Sequence, residues 1–485
     1  LKPCKFGMSP ALRLPTLRVA ANDDGEGQVY LAAIVCAARV AAFFLTVLFL
    51  RQLQCGGAKN WRVYGKLAAL RHWRLRVAKC HQGEPPSPPG GSARCQSDSS
   101  EESGCEAWAE PRGAPGGCPE PIREDRLSSA MQSLADNRQR WCSGNFTFVR
   151  TLQQAPRNRG RVDCMRGDGF FVAVKRVPND WILSGPKEFE EQHPESNERP
   201  WYDIGVLQQL NAHGFHYCYD MIGLYCDEEL TYIVTPLASE GDLYEWCARD
   251  PRPGRERERV MRPLAVQVCA AVRWLHELGV VHRDISLENI LLTIDGDGTQ
   301  QIKIIDFGMA TLCRSCDDGV NCKAIYQAPE SHLPDAVVDG FRLDAFAIGV
   351  VLFAMALHDY PWWATRSGSC QQFQYYQKFG FERFMRRHRL RNARSTSFMD
   401  VLSGRLARLL EGLLACAPEE RLTLGESCWY MQGDSPPAPS VWDSRWMPRS
   451  ARRPAGARTQ DAAPRGPKPA LAEAADLPAQ EAAGG

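Results

Sequence analysis

The segment HRDISLENILLTIDGDGTQQIKIIDFG occupies residues 282–308. It contains two short aliphatic runs, ILLTI and IKIID, which are separated by the turn sequence DGDG. Such runs, bounded by Gly and Asp, predict two β-strands joined by a turn. The apolar stretch PLAVQVCAAVRWLHELG at 263–279 precedes them with the spacing of a helix. The predicted order is therefore a helix, the polar loop HRDISLEN, a hairpin and the triplet DFG.

Further patterned segments lie on both sides of this hairpin. Upstream, FFVAVKRV (170–177) alternates and is rich in β-branched residues, which predicts a strand with Lys175 near its end. Downstream, the triplet APE ends at Glu330, and Asp344 opens the apolar helix AFAIGVVLFAMAL. The set VAVK, HRDxxxxN, DFG and APE thus appears in one order along the chain.

This ordered set resembles the signature of the eukaryotic protein kinase superfamily. Any one of the motifs alone is a weak signal, but four in order are a strong one, and the resemblance covers residues 142–432. It implies an α+β, bilobal fold with a small lobe of five antiparallel strands and a large, mostly helical lobe. It also implies transfer of the γ-phosphoryl group of ATP to Ser or Thr of a protein substrate, with ATP and Mg²⁺ as cofactors.

The resemblance assigns a role to each matching residue. Lys175 is expected to hold the α and β phosphates, and Asp306 and Asn289 to bind Mg²⁺ through hard oxygen ligands. Asp284 is expected to accept the proton of the substrate hydroxyl. Two structural roles follow in the large lobe. Glu330 is expected to pair with Arg421, and Asp344 to anchor the loop that carries Asp284.

The same resemblance outlines a nucleotide pocket around the segment TYIVTPLASEGDLYEW. Thr235 falls at the gatekeeper position, and Pro236 and Ala238 face the edge of the adenine ring. Pro236 lacks an N–H but keeps its carbonyl, whereas Ala238 keeps the N–H that adenine requires. The remaining pocket residues are Asp242, which is placed to reach the ribose, and the three that sandwich the base: Val162, Ala173 and Leu291.

The phosphate-binding loop departs from the family pattern. Where three glycines are expected, residues 155–162 read APRNRGRV, so Gly160 is the single glycine in place. Backbone N–H groups approach phosphates most closely where side chains are absent, so nucleotide affinity is in question. Two alternatives remain for Arg157, Arg159 and Arg161: they supply positive charge to the phosphates, or they are solvated surface arginines.

Two other departures concern charged partners. The glutamate expected to pair with Lys175 is replaced by Asp203, which is one methylene shorter. The lysine expected two residues after Asp284 is replaced by Ser286, while Lys323 stands where a threonine is expected before APE. We interpret this as a reciprocal swap in which Lys323 supplies the missing charge beside Ser286. The alternative function is a pseudokinase, a binding or scaffold module without turnover.

Arg283, next to Asp284, normally contacts a phosphate on the activation loop in this family. That loop offers either a phosphorylated Ser315 or the acidic pair Asp317 and Asp318 as its partner.

Composition limits the class of protein. The chain has 485 residues, of which 44% are hydrophobic and 24% charged, so a wholly disordered or collagen-like chain is excluded. The net charge of +1 argues against nucleic acid as a partner. The 19 cysteines are odd in number and scattered from Cys4 to Cys428, which favours a reducing compartment over a disulfide framework.

The region before residue 142 has a different composition. Residues 29–50 are apolar except for Arg39 and Thr46, and a helix of this length spans about 33 Å, enough to cross a bilayer. The bases that follow the segment would place the downstream chain in the cytosol. The segment is thus either a transmembrane helix or a targeting segment, and the protein either a single-pass membrane protein or cytoplasmic.

The sequence predicts six regions in all: an N-terminal segment at 1–28, the apolar segment at 29–50, a basic juxtamembrane segment at 51–81, a disordered linker at 82–141, the catalytic domain at 142–432 and a disordered Pro/Ala/Arg-rich tail at 433–485.

Overall fold

The fold was analysed in a computed structural model. The structure describes residues 119–448, apart from 156–158, 168, 250–251, 297, 317–322, 334–336, 391–392 and 429–438. The predictions for residues 1–28, 29–50 and 51–81, for most of the linker, for Arg157, for Asp317 and Asp318 and for most of the tail at 433–485 lie outside the described residues.

The small lobe is built on a six-stranded sheet in the order β1-β5-β6-β4-β3-β2. Its strands are β1 (Gln139–Arg140), β2 (Thr147–Ala155), β3 (Gly160–Arg166), β4 (Phe171–Pro178), β5 (Gly223–Cys226) and β6 (Leu230–Pro236). Strands β2 to β6 pair antiparallel, whereas β1 runs parallel to β5. The prediction of five strands is therefore short by one, because β1 comes from the region predicted as linker.

The side chains of strand β4 alternate between the two faces of this sheet. Val172 and Val174 are fully buried and pack with Met165, Tyr232 and Val234 on the outer face. Residues that alternate with them point to the opposite face, since side chains in a strand alternate. Ala173 and Lys175 therefore lie on the inner face, where β4 pairs with Thr235 of β6 and Val162 of β3.

The linker prediction for 82–141 is wrong for its last part. Residues Glu124–Asp136 form helix α1, and Leu127, Met131 and Ala135 are buried on one side of it. Their spacing of four residues forms a single apolar stripe along the helix. The Pro- and Gly-rich composition that indicated a linker ends at residue 121, so the predicted domain boundary at 142 is about 20 residues too late.

Among the described residues, the small lobe has three more helices, α2 (Asn179–Ile182), α3 (Pro186–Gln192) and α4 (Pro200–Ala212). Helix α4 begins at Pro200, whose fixed φ and missing N–H suit the first turn of a helix. Its buried residues include Trp201, Ile204, Val206 and Leu210. Helix α4 packs on α1 and carries Asp203 in its first turn.

The large lobe is mainly helical. Its helices are α5 (Leu243–Arg249), α6 (Arg255–Glu277), α7 (Gly340–Leu357), α8 (Gln371–Arg387), α9 (Phe398–Val401) and α10 (Gly404–Leu413). Three two-stranded sheets complete it: β7 (Ile290–Ile294) with β8 (Gln300–Ile304), β9 (Ser315–Cys316) with β10 (Val338–Asp339), and β11 (Arg389–Leu390) with β12 (Ala393–Ser397). The predicted α+β, bilobal architecture is thus confirmed.

Helix α7 is the centre of the large lobe. It is the one described helix that is long and apolar enough to cross a membrane, yet all its residues are buried inside the lobe. We therefore assign it to the protein core.

The tail predicted as disordered from residue 433 also contributes to the core. Val441, Trp446 and Met447 are buried, and the Trp446 indole N–H donates to Glu258 at 3.2 Å. Arg262 Nε donates to the Trp446 carbonyl at 2.7 Å. The prediction is wrong for these residues, because two tryptophans and a methionine near 442–447 supply the apolar surface that the Pro-rich composition around them lacks.

Candidate functional site

Lys175 lies between two carboxylates on the inner face of the small-lobe sheet. Its Nζ is 2.6 Å from Asp203 Oδ2 and 3.3 Å from Asp306 Oδ1. Burial opposes the charge of the lysine, but the two carboxylates outweigh it and raise the Lys175 pKa. The pairing with Asp203 that the sequence predicted is present despite the shorter side chain. Lys175 is therefore a fixed cation.

Asp306 follows strand β8 and begins the DFG segment. Its backbone is left-handed (φ 68°, ψ 70°), and the following Phe307 is buried against the His282 ring. The nearby charge of Lys175 lowers the Asp306 pKa, so this carboxylate is ionised at neutral pH. Asp203 also takes part, since its Oδ1 accepts a hydrogen bond of 2.8 Å from Phe307 N. Asp203 thus joins helix α4 to both Lys175 and the DFG segment.

Asp284 and Asn289 form the second half of the site. The Asn289 side-chain amide donates to the Asp284 carbonyl and to Asp284 Oδ2, both at 2.8 Å. This leaves the Asn289 side-chain oxygen available as a ligand. Burial raises the Asp284 pKa, although the positive charge of Lys323 opposes this. A raised pKa makes the carboxylate a stronger proton acceptor.

Lys323 reaches the loop that carries Asp284. Its Nζ donates to Ser286 Oγ at 2.6 Å and lies 3.3 Å from Glu288 Oε2. The structure therefore places the amino group of Lys323 beside the residue where a lysine is expected. Glu288 was not predicted to take part, because it lies inside the xxxx portion of HRDxxxxN, for which the motif specifies no residue type.

The predicted nucleotide pocket residues lie along the junction of the lobes. Ala173 pairs with Thr235 across β4 and β6, and Pro236 ends β6. On the large-lobe side, Asp242 directly precedes helix α5 and forms an isolated antiparallel β-bridge with Leu291 of β7. Burial raises the Asp242 pKa to about 6, while its Oδ1 accepts from Glu245 N at 2.7 Å. Ala238 follows in the connection between β6 and α5.

The hairpin β2–β3 stands where the glycine-rich loop is expected. Strand β3 begins at Gly160, which pairs with Ala155. Arg159 forms an exposed ion pair of 2.6 Å with Asp180, and Arg161 Nε lies 3.0 Å from the buried Asp163. Both described arginines thus have acidic partners within the small lobe, which does not favour a role for them in binding phosphates.

The start of the loop that carries Asp284 is held by a buried carboxylate. Asp344 accepts hydrogen bonds from His282 N at 2.8 Å and from Arg283 N at 2.9 Å. The predicted anchoring role of Asp344 is confirmed. On its other side, Asp344 Oδ2 is 3.1 Å from His276 Nε2, and the His276 Nδ1 is 2.7 Å from Glu426 Oε1.

We expect His276 to make folding stability depend on pH. Burial opposes its protonation, but hydrogen bonds to Asp344 and Glu426 raise the His276 pKa to about 9. The unfolded pKa is about 6.5, so the contribution to the unfolding free energy is complete below about pH 6.5 and disappears as the pH rises through about 9. Across this window, we expect the unfolding free energy of the wild type to fall by on the order of 3 kcal/mol more than that of His276→Gln does. Urea unfolding at several pH values measures this difference, and parallel pH profiles for the two proteins would contradict it.

The predicted ion pair between Glu330 and Arg421 is also confirmed. Arg421 Nη1 and Nη2 donate to the two carboxylate oxygens of Glu330 at 2.5 and 2.9 Å. Both side chains are buried at the base of the large lobe.

One connection of the site was not predicted from sequence. Arg199, just before helix α4, donates its backbone N–H to the Gly308 carbonyl at 2.8 Å and its guanidinium to the Ala310 carbonyl at 2.6 Å. These bonds join the start of α4 to the DFG segment. No motif marks them, because backbone carbonyls accept from any suitably placed arginine.

The family profile described as "Protein kinase domain" matches residues 162–431, more than half of the chain. The mouse testis-specific serine/threonine-protein kinase 5 is 32% identical over 239 residues, which are 46% of this chain and 57% of that protein. The Caenorhabditis briggsae serine/threonine-protein kinase kin-29 is 34% identical over 162 residues, 33% of this chain and 18% of that one.

A third relative is the probable serine/threonine-protein kinase 2 of Plasmodium falciparum, 34% identical over 160 residues, which are 33% of this chain and 29% of that protein. The chain thus covers less than two thirds of the length of each of these relatives.

Proposed function

Because the chain belongs to the protein kinase family, we propose that it transfers the γ-phosphoryl group of ATP to Ser or Thr hydroxyls of protein substrates. The observation that carries this proposal is the arrangement of Lys175, Asp203 and Asp306 across one junction of the lobes. The three relatives described above are all named as serine/threonine-protein kinases.

The donor set fits Mg²⁺ and ATP. Asp306 supplies an ionised carboxylate, and Asn289 supplies an amide oxygen on a side chain that Asp284 holds in place. Hard oxygen ligands of this kind suit Mg²⁺, and a fixed lysine suits phosphate oxygens. When bound, Mg²⁺ neutralises charge on the phosphates. We propose that Asp306 and Asn289 hold the metal and that Lys175 binds the α and β phosphates.

The residues of the chain then have distinct tasks. Thr235, Pro236 and Ala238, together with Val162, Ala173, Leu291, Asp242 and Gly160, are proposed to line the nucleotide pocket. Asp284 orients the substrate hydroxyl and takes its proton, for which its raised pKa is suited. Lys323 places a positive charge beside Ser286, where charge develops on the transferred group. Catalysis here consists mainly of positioning and electrostatic stabilisation.

Three features support this proposal over the alternative of a pseudokinase. Lys175 and Asp306 lie 3.3 Å apart, Asn289 is hydrogen-bonded to Asp284, and Lys323 contacts Ser286. A tyrosine substrate is disfavoured because the segment ISLEN after Asp284 lacks the arginine typical of that class.

Membrane association through residues 29–50 stays a prediction. A reporter fused to residues 1–80 distinguishes a membrane anchor, which fractionates with membranes, from a cleaved targeting segment, which does not remain on the reporter.

The experiment that tests the proposed function is transfer of ³³P from γ-labelled ATP to a mixed set of Ser- and Thr-containing proteins. The full-length protein is assayed with Mg²⁺ and with EDTA, beside Asp306→Asn. We expect Mg²⁺-dependent labelling of Ser and Thr, identified by phosphoamino acid analysis. A wild type that binds Mg·ATP without transferring phosphate would favour the pseudokinase instead.

Replacing Lys323 by Met tests its proposed role. We expect kcat to fall about 100-fold, because one charged donor to the transferred group is lost. The double variant Ser286→Lys with Lys323→Thr, which restores the usual family arrangement, is expected to recover most of this loss. Lys378→Met, which removes an exposed lysine from helix α8, is the matched control and should leave kcat unchanged. Full turnover in Lys323→Met would exclude the role.

A further inference from the structure

Residues 121–141 form a continuous segment, here called the N-terminal strap, that runs from the large lobe across helix α4 to the edge of the small-lobe sheet. The strap lies wholly before residue 162, where the match to the protein kinase profile begins. Its position is therefore a feature of this chain that the family match does not describe.

The strap is fixed at both ends. At its start, Ile122 N donates to the Leu278 carbonyl at 2.8 Å, just after helix α6 of the large lobe. At its end, strand β1 pairs with β5, and the Trp141 ring stacks on Tyr232 with 4.0 Å between ring centroids. Helix α1 lies between these two attachments, so its distance from the rest of the small lobe is constrained.

Helix α1 packs closely on helix α4. Gly205 of α4 faces Met131 and Leu127, and both of these side chains are buried. A Cβ added at Gly205 would overlap Met131 Cγ and lie 3.0 Å from Leu127 Cδ1. The two helices therefore approach more closely than any side chain at position 205 permits. The Tyr202 hydroxyl adds a hydrogen bond of 2.8 Å to Glu124.

Asp203 lies on the other side of the same helix turn. Side chains two positions apart on a helix are separated by about 200° of rotation about its axis. Asp203 therefore faces Lys175, whereas Gly205 faces the strap. The side chain of Asp203 is one methylene shorter than that of a glutamate, so its carboxylate reaches about 1.5 Å less far from the helix. Even so, its oxygens lie 2.6 Å from Lys175 Nζ and 2.8 Å from Phe307 N. Helix α4 must therefore sit close to the sheet for these contacts to form.

We propose that the N-terminal strap is a positioning element for the nucleotide site, in which packing of Met131 and Leu127 against Gly205 holds helix α4 close enough for Asp203 to reach Lys175. The inference rests on the proposed function, because it assigns Lys175 to the phosphates of ATP. Met131, Leu127 and Gly205 act through Asp203 and touch no nucleotide themselves.

The test is a double-mutant cycle at Met131 and Asp203 in the full-length protein. Met131→Ala removes a side chain that abuts Gly205, so α4 can recede toward the strap, and we expect the KM for ATP to rise about ten-fold as the ion pair weakens. Asp203→Glu in the same chain restores the lost reach, so Met131→Ala with Asp203→Glu is expected to return to within about two-fold of the wild type. Asp203→Glu alone should raise the KM, because the added methylene has no room.

Two further variants separate positioning from loss of stability. Met355→Ala removes a fully buried methionine side chain from helix α7, so it is a matched cavity in the large lobe. It should lower the unfolding midpoint and leave the KM for ATP unchanged. Leu127→Val shortens the second side chain that abuts Gly205 and should raise the KM for ATP in the same direction as Met131→Ala, by a smaller factor.

The outcomes distinguish this inference from the proposed function. An active wild type in which Asp203→Glu fails to restore Met131→Ala, or in which Met355→Ala raises the KM equally, overturns the strap's role alone. Should Met131→Ala not fold, an unchanged KM in Leu127→Val overturns it. If the wild type transfers no phosphate, the proposed function fails, and the same cycle is measured as Mg·ATP affinity by calorimetry. A wild type that neither transfers nor binds overturns both.

Discussion

Replacing Asp306 by Asn is expected to lower phosphoryl transfer about 10³-fold, since loss of an anionic metal ligand costs about 4 kcal/mol of transition-state stabilisation. The Asp306 carboxylate is ionised because Lys175 Nζ lies 3.3 Å away and lowers its pKa. An amide of the same size keeps the backbone conformation and removes the charge. Transfer of ³³P from ATP as a function of Mg²⁺ concentration measures the effect.

The same variant should fold normally. Its thermal midpoint is expected to stay close to that of the wild type, so the loss of transfer reports on chemistry. Asp220→Asn, at an exposed position between helix α4 and strand β5, is the matched control and should retain full transfer. Wild-type rates in Asp306→Asn would show that this carboxylate does not bind the metal.

The largest expected effect on stability comes from Arg421→Met. The guanidinium donates to Glu330, to the Arg342 carbonyl at 2.8 Å and to the Ala415 carbonyl at 3.1 Å, and it lies over the Phe346 ring. Removing it leaves Glu330 as an unpaired buried charge, which costs about 3–5 kcal/mol. Urea unfolding of the two proteins at pH 7 measures the change in unfolding free energy.

A surface ion pair of similar geometry is the control. Arg386 and Glu382 lie 2.8 Å apart on helix α8, but both side chains are 65% exposed. Arg386→Met should therefore cost less than about 1 kcal/mol. The double variant Arg421→Met with Glu330→Gln removes the stranded charge and should recover part of the loss. Equal effects of Arg421→Met and Arg386→Met would contradict a stabilising role for burial of the pair.

The sequence alone indicated the fold class and the kinase family. Lys175, Asp284, Asn289 and Asp306 were identified because each lies in a short local motif whose residue types the chemistry requires. The same holds for the strands FVAVKRVP and ILLTI, whose side-chain pattern has the two-residue period of a strand. The pairing of Glu330 with Arg421 could be predicted as well, since both belong to motifs of the family.

The tertiary structure alone showed where other parts of the chain pack. Helix α1 follows a Pro- and Gly-rich stretch, and its stripe of Leu127, Met131 and Ala135 is too short to be distinguished from a surface segment by periodicity. Trp446 and Met447 likewise lie in a polar stretch, and their burial depends on Glu258 and Arg262 of a distant helix.

Gly205 illustrates the same limit within the site. Within the sequence DIGVLQQL, Gly205 can be recognised only as a residue of low helix propensity. The reason for it lies in Met131, 74 positions earlier, whose side chain occupies the space of the missing Cβ. Local chemistry therefore identified the residues that are proposed to act on a nucleotide, whereas their distances depend on contacts between remote segments, which no local pattern encodes.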